Sequence, residues 1–238
     1  MKKHLLFISF LTVSYLSNAQ LYTLGVKGGL NQNKIGSLYQ RPYNGDPGIN
    51  HQPNKDISLQ FGAFLNVKFG KFFIQPELNY VKLKNHYDLP LKTSYWNTSK
   101  TEIPVILGFE IFDPLSLYIG PNFNFYKKTS LDGVQVTSFS DGGPDLDKNT
   151  LSLSFGIKAN FGRFGLDLRY ESGQKETQEE LLDIIYSEYG TNLADLKSYT
   201  PSIVSLSLHI NLISTDGEHT DTLFSKLFKG NACWCSKH

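Results

Sequence analysis

Cysteine is almost missing from this chain: its only two, Cys233 and Cys235, stand at the very end. No disulfide framework can therefore support the body of the fold. Long apolar runs are missing too. After the first 19 residues no stretch approaches the roughly 18 to 20 apolar residues that a membrane-spanning helix needs. Charge of one sign is not in excess, with 23 Lys and Arg against 22 Asp and Glu. That balance excludes a large electrostatic footprint for nucleic acid. A Gly-x-Ser-x-Gly nucleophile motif is also absent. Aromatic residues, by contrast, are plentiful at 13%. The negative mean hydropathy would ordinarily suggest a water-soluble domain. It does not exclude a membrane barrel, whose lumen-facing and lipid-facing residues alternate and cancel in any average.

The N-terminus reads as a secretory signal. Lys2 and Lys3 are followed by an apolar segment over 5–16, and Ser17-Asn18-Ala19 places small residues where a signal peptidase reads. Cleavage is expected after Ala19, with no cysteine following it to carry a lipid anchor. The expected organisation is a signal peptide over 1–19, one barrel domain over 20–213 and a periplasmic tail over 214–238.

Seven connections alternate short and long along the rest of the chain. Tight links fall at Gly70-Lys71, Phe112-Asp113-Pro114 and Gly162-Arg163, and long polar stretches cover 33–56, 84–99, 128–150 and 172–200. Between them are strand-like runs with apolar residues at every second position. The second run sets Ile57, Leu59, Phe61, Ala63, Leu65, Val67 and Phe69 against Ser58, Gln60, Gly62, Asn66 and Lys68, interrupted only by Phe64. The sixth sets Leu151, Leu153, Phe155, Ile157, Ala159 and Phe161 against Ser152, Ser154, Gly156, Lys158 and Asn160. The eighth sets Val204, Leu206, Leu208, Ile210 and Leu212 against Ser205, Ser207, His209 and Asn211. The pattern predicts an all-β fold: an eight-stranded antiparallel up-and-down transmembrane barrel, with short turns on one side and long loops on the other.

Alternation alone does not say which face points inward. A lipocalin-like carrier would put the apolar face inside, around a ligand. Three features favour the inverse. The apolar faces hold more large side chains than a small barrel could enclose. The polar faces carry Gly, Ser and charges of both signs, which suit a crowded lumen. The runs reach the roughly ten residues of a tilted membrane strand. Pro76, Pro104 and Pro121 fall inside strands, although a closed barrel has no edge to host them, so β-bulges are expected there.

Five motifs carry a resemblance: Gly25-Val26-Lys27-Gly28-Gly29-Leu30-Asn31, Gln75-Pro76-Glu77-Leu78-Asn79-Tyr80, Glu102-Ile103-Pro104-Val105-Ile106-Leu107, Tyr118-Ile119-Gly120-Pro121 and Asp167-Leu168-Arg169-Tyr170. In this order and spacing the chain resembles the PorT-like small outer-membrane barrels of Bacteroidetes-type bacteria, over about 22–213. The resemblance implies fold and location in the outer membrane, prolines within the strands, and a link with a secretion machinery for some members. The chain departs from that pattern by continuing past its last strand.

The polar faces gather Lys27, Lys68, Glu77, Glu102, Glu110, Lys158, Asp167, Arg169, Glu171 and His209. A proton or ion path, or an acid/base pair of Glu77 and His209, is one reading. A plug of mutually neutralising charges is the preferred one, because an eight-stranded lumen is just wide enough to fill with side chains. Residues 176–189 are expected to form an amphipathic helix folded over the barrel mouth, with Leu181, Leu182, Ile185 and Tyr189 on its apolar face. Asp141, Asp145 and Asp147 lack EF-hand spacing and read as a solvated acidic loop. Cys233, Cys235 and His238 are too sparse for a metal site, and Leu223, Phe224, Leu227 and Phe228 could form a short surface helix.

No catalytic residue, metal or cofactor is therefore expected. The expected role is structural or interactive, performed by loops or tail. The expected partners are outer-membrane lipid and other envelope proteins, not nucleic acid. The alternatives are a channel or secretion component, a lipid-modifying enzyme using His209, and the lipocalin-like carrier.

Overall fold

The computed structural model describes residues 20–215, apart from Asn44 and Asp46. The signal segment, the cysteine tail and the surface helix at Leu223–Phe228 thus lie outside the described residues. In chain order the elements are β1 (Gln20–Lys34), β2 (Leu38–Gln40), β3 (Ile49–His51), β4 (Asn54–Lys55), β5 (Ser58–Phe69), β6 (Phe72–Asp88), β7 (Thr93–Phe112), β8 (Leu115–Tyr126), β9 (Ser130–Leu131), β10 (Val134–Gln135), β11 (Asn149–Phe161), β12 (Phe164–Gly173), β13 (Glu180–Ile184), α1 (Tyr186–Tyr189), β14 (Leu193–Leu196) and β15 (Ser202–Ser214).

Eight long strands close a ring in the order β1-β5-β6-β7-β8-β11-β12-β15, with β15 pairing back onto β1. Every neighbouring pair is antiparallel. At one end the strands turn tightly. Gly70 and Gly162 sit at φ +61° and +60°, a left-handed conformation that a two-residue hairpin demands and glycine supplies. The turns bring Phe69 opposite Phe72 and Phe161 opposite Phe164.

The apolar faces point outward from all eight strands. Val26, Phe61, Leu78, Leu107, Ile119, Phe155, Leu168 and Leu206, one from each, are exposed. A continuous exposed belt of this kind is tolerable only where hydrocarbon covers it. The arrangement is the reverse of a lipocalin.

The bulges expected at the prolines do not form. Pro76 stands opposite Val105, Pro104 opposite Asn122 and Pro121 opposite Leu153, with the register carried straight through. Instead the ladder lapses beside them. Pairing is interrupted between Phe64–Glu77 and Val67–Ile74, between Pro76–Val105 and Asn79–Glu102, and between Pro104–Asn122 and Leu107–Ile119. A residue without an N–H loses a bridge, yet a closed ring leaves its strand nowhere to slip.

At the other end, the long connections are more ordered than their polarity suggests. The stretch 84–99 is not a loop. Strands β6 and β7 run on past the belt, with Asp88 still opposite Thr93. The other three connections build a second, five-stranded sheet in the order β10-β13-β14-β2-β3. The helix expected over 176–189 does not form as one element: Glu180–Ile184 is strand β13, and only Tyr186–Tyr189 is helical. Pairing with β14 and β10 outweighs local helix preference, because it buries Leu182 and Ile184 at a period of two. Leu182, Ile184 and Ala194 then pack with Leu38, Val81, Leu83, Tyr87 and Trp96 into a conventional apolar core. The protein therefore has two interiors, a polar one inside the ring and an apolar one under the cap.

Candidate functional site: the charged lumen and the cavity above it

Inward positions recur every second residue, so each strand delivers its polar side chains to one column. Glu77 on β6 is the centre of the lower cluster. Its carboxylate accepts from Lys27 Nζ at 2.6 Å, Arg169 Nη2 at 2.8 Å, Gln75 Nε2 at 2.6 Å and Asn79 Nδ2 at 3.0 Å. Asp167 accepts from Lys27, Arg169 and the Tyr118 hydroxyl.

The upper cluster is built on Lys100, which is fully buried. Its Nζ lies 2.8 Å from Glu102, 2.6 Å from Glu171 and 2.8 Å from Asn124 Oδ1. Ser152 donates to Glu171 at 2.6 Å. The amides of Asn79 and Asn122 donate to Glu102, and Asn79, which also donates to Glu77, ties the two clusters together. The buried cations inside the ring are Lys27, Lys100, Lys158 and Arg169, and the buried carboxylates are Glu77, Glu102, Asp167 and Glu171. Formal charge is thus balanced, which a desolvated cluster requires.

Of the sequence-predicted residues, Lys27, Glu77, Glu102, Asp167, Arg169 and Glu171 are brought into these two clusters. Lys158 is buried beside them and donates to Gln75 at 2.6 Å, with its ammonium 5.2 Å from the Phe64 ring. Lys68 and Glu110 are placed apart. They pair with each other near the short-turn end, both partly exposed. No hydrogen bond joins Glu77 and His209. His209 Nε2 meets Asn160 Oδ1 at 2.9 Å, and Nδ1 has no partner. No hydroxyl or carboxylate is bonded to that imidazole, so it lacks the nucleophile and orienting group of an acid/base site.

Sequence reasoning missed Lys100. It stands two residues before Glu102 and so shares its inward parity, but a strand drawn only from 102 excludes it. The signal was the alternation itself, which runs unbroken back through Thr98 and Trp96.

Four inward rings each stand over a glycine that is their register partner: Phe64 over Gly25, Phe73 over Gly108, Tyr118 over Gly156 and His209 over Gly165. A Cβ at Gly108 would lie 2.0 Å from Phe73, and one at Gly165 would lie 2.2 Å from His209. The glycines on the polar faces are thus the recesses that let large rings lie flat in a narrow lumen.

Above the upper cluster, a cavity of about 490 Å³ opens between 141–148 and 173–180. Asn124, Ser152 and Glu171 line its depth, and Asp141, Asp145, Asp147, Glu176 and Glu180 line its walls with Lys148 and Lys175. Lys175 pairs with Asp147 at 2.7 Å. Burial, together with the charges of Asp145 and Asp141, raises the pKa of Glu180 against a hydrogen bond from the Asp145 N–H. On the cap, the hydrogen bond to Asp195 raises the pKa of Arg41. Among the described residues, no group of three or more His, Cys, Asp or Glu side chains is placed to hold a metal ion.

The model of a family described as outer membrane protein beta-barrel domain matches residues 18–173. No curated protein matches the chain. Among solved structures, the chain is similar to Neisserial surface protein A at 11% identity, covering 79% of this chain and 97% of that one with a TM-score of 0.43. It is also similar to the outer membrane protein OprG from Pseudomonas aeruginosa at 10% identity, covering 81% and 95% with a TM-score of 0.45. Ail, the attachment invasion locus protein of Yersinia pestis, matches at 12% identity, covering 79% and 99% with a TM-score of 0.37.

Proposed function

The chain belongs to the outer membrane protein beta-barrel domain family and resides in the outer membrane, and from that premise we propose that it is a non-enzymatic structural or interaction protein with a closed lumen. The observation that carries this reading is the placement of Lys100. A fully buried ammonium bonded to two carboxylates and an amide fills the upper lumen with charges already engaged by one another. The apolar layer of Val81, Leu83 and Trp96 lies on the same inward faces, farther along β6 and β7. Interaction then falls to the cap and tail, with outer-membrane lipid and other envelope proteins as partners. The five sequence motifs support placing the chain near the PorT-like barrels within this family. Against a lipid-modifying enzyme stands the solitary hydrogen bond of His209.

One observation favours a second reading, a channel or transport-linked component. The cavity between the connections reaches down to Glu171, itself part of the upper cluster. Planar-bilayer recording of the purified full chain separates the two. A closed lumen gives no discrete conductance steps in the native protein. Steps in the native protein would replace the structural reading with the channel reading.

A further inference from the structure

On its outer surface, just beyond the apolar belt, the barrel carries a groove of about 450 Å³ bordered by Tyr80, Lys82, Lys84, Asn97, Ser99 and Lys128. Ile57 and Leu59 close its lower side. Tyr80 is the last outward aromatic of β6, and Lys82 and Lys84 are the next two outward positions. Lys127 reaches the same place from the end of β8. Its backbone N–H donates to Ser99, and its ammonium stands 5.0 Å from the centre of the Tyr80 ring. The Lys84 ammonium lies 4.6 Å from the Tyr95 ring centre.

Four exposed lysines thus converge on one groove with no carboxylate in its lining. None of them enters an ion pair among the described residues. The nearest acidic residues along the strands are engaged elsewhere: Asp56 with His86, and Asp88 with Asn54 and Thr93. This concentration is unlike the rest of the protein. Inside the ring four buried cations stand against four buried carboxylates, and on the cap Arg41, Lys92, Lys175 and Lys197 each face a carboxylate.

Height in the membrane selects the occupant. The groove joins hydrocarbon-facing Ile57 and Leu59 to an aromatic-and-lysine rim, the level at which lipid headgroups lie. Unpaired lysines at that level attract anionic headgroups. We propose that this groove is a docking site for a phosphate-bearing lipid of the outer leaflet. Its acyl chains lie along Ile57, Leu59 and Phe61, and its phosphate rests among Lys82, Lys84, Lys127 and Lys128. The proposal rests on the outer-membrane barrel reading and names the lipid that reading leaves open.

The test is native mass spectrometry of the full chain in detergent, titrated with monophosphoryl lipid A and with the same lipid after phosphatase treatment. Boiled and unboiled gel lanes of each sample report separately whether the barrel is folded. The expected result is at least tenfold tighter retention of the phosphorylated lipid by the native protein. That preference disappears in K82Q/K84Q/K127Q/K128Q and persists in the control K92Q/K175Q. Should the quadruple variant fail to fold, the pairs K82Q/K84Q and K127Q/K128Q replace it, each expected to lose part of the preference. Equal retention of the two lipids by a heat-shifting native protein overturns the docking site and leaves the barrel intact. So does a preference unchanged in the folded variants, or one that free inorganic phosphate at millimolar concentration abolishes. A native protein with no heat shift would instead overturn the barrel reading itself.

Discussion

Tyr118 on β8 and Gly156 on β11 are register partners, and the Tyr118 hydroxyl would meet a Cβ on Gly156 at 2.4 Å. That hydroxyl donates to Asp167 and accepts from Arg169 Nε at 3.0 Å. The bare glycine therefore fixes where the lower charge cluster finds its phenol. Gly156→Val should force the ring aside and cost about 1 to 3 kcal/mol, the usual range for overpacking a dense interior. The temperature at which the unboiled gel band converts to the boiled position should fall. Gly28, whose Cβ would meet nothing closer than 3.8 Å, should tolerate alanine with little change.

Removing the Lys100 ammonium should be more damaging than removing the whole upper cluster. Lys100→Met leaves Glu102 and Glu171 facing each other without their shared cation. Breaking a buried ion pair from one side typically costs about 3 to 5 kcal/mol. The triple variant Lys100→Met/Glu102→Gln/Glu171→Gln removes the charges together and should recover a large part of that loss. Urea midpoints in detergent micelles measure both. A single variant as stable as the native protein would mean that the ammonium contributes no net stabilisation.

The walls of the cavity should respond to pH. Burial and the neighbouring Asp145 and Asp141 raise the pKa of Glu180. A carboxyl with a raised folded-state pKa binds its proton more tightly when folded. Its stabilising contribution is fully present below the ordinary carboxylate range and is lost as pH rises through the raised value. Amide hydrogen exchange over 141–148 and 173–180, corrected for intrinsic rate, should therefore be slower at acidic than at neutral pH. Glu180→Gln should flatten that dependence.

The ring was legible in the sequence because its signal is local. Leu59, Phe61 and Ala63 alternate with Gln60 and Gly62 whatever their partners are, and Gly70 and Gly162 mark the turns beside them. The cap was not legible because its strands are short and borrow their stability from distant segments. Leu182 and Ile184 look equally at home on a helix face until Leu193–Leu196 and Val134–Gln135 supply strand partners. Lys100 was obscured for a related reason. Its inward parity is plain once β7 is extended, but the polar run 97–101 hides that extension, since a strand leaving the membrane no longer needs an apolar outer face. The lysine groove was hidden more deeply, because Lys127 reaches Tyr80 across a strand that separates them in the ring.

The two interiors should come apart under mutation. The cap core depends on burying apolar surface, and Leu182 is completely enclosed there with Ile184, Trp96 and Leu38. Leu182→Ala should cost about 2 to 5 kcal/mol at that site. The ring does not depend on that contact, since its closure is a continuous circuit of strand pairs from β1 to β15. A Leu182→Ala protein should therefore keep its heat-shifted gel band while protease cuts rapidly within 128–150 and 172–200. If instead the heat shift is lost together with protease resistance, cap and ring form one cooperative unit. The apolar core at the long-loop end would then help to hold the barrel closed.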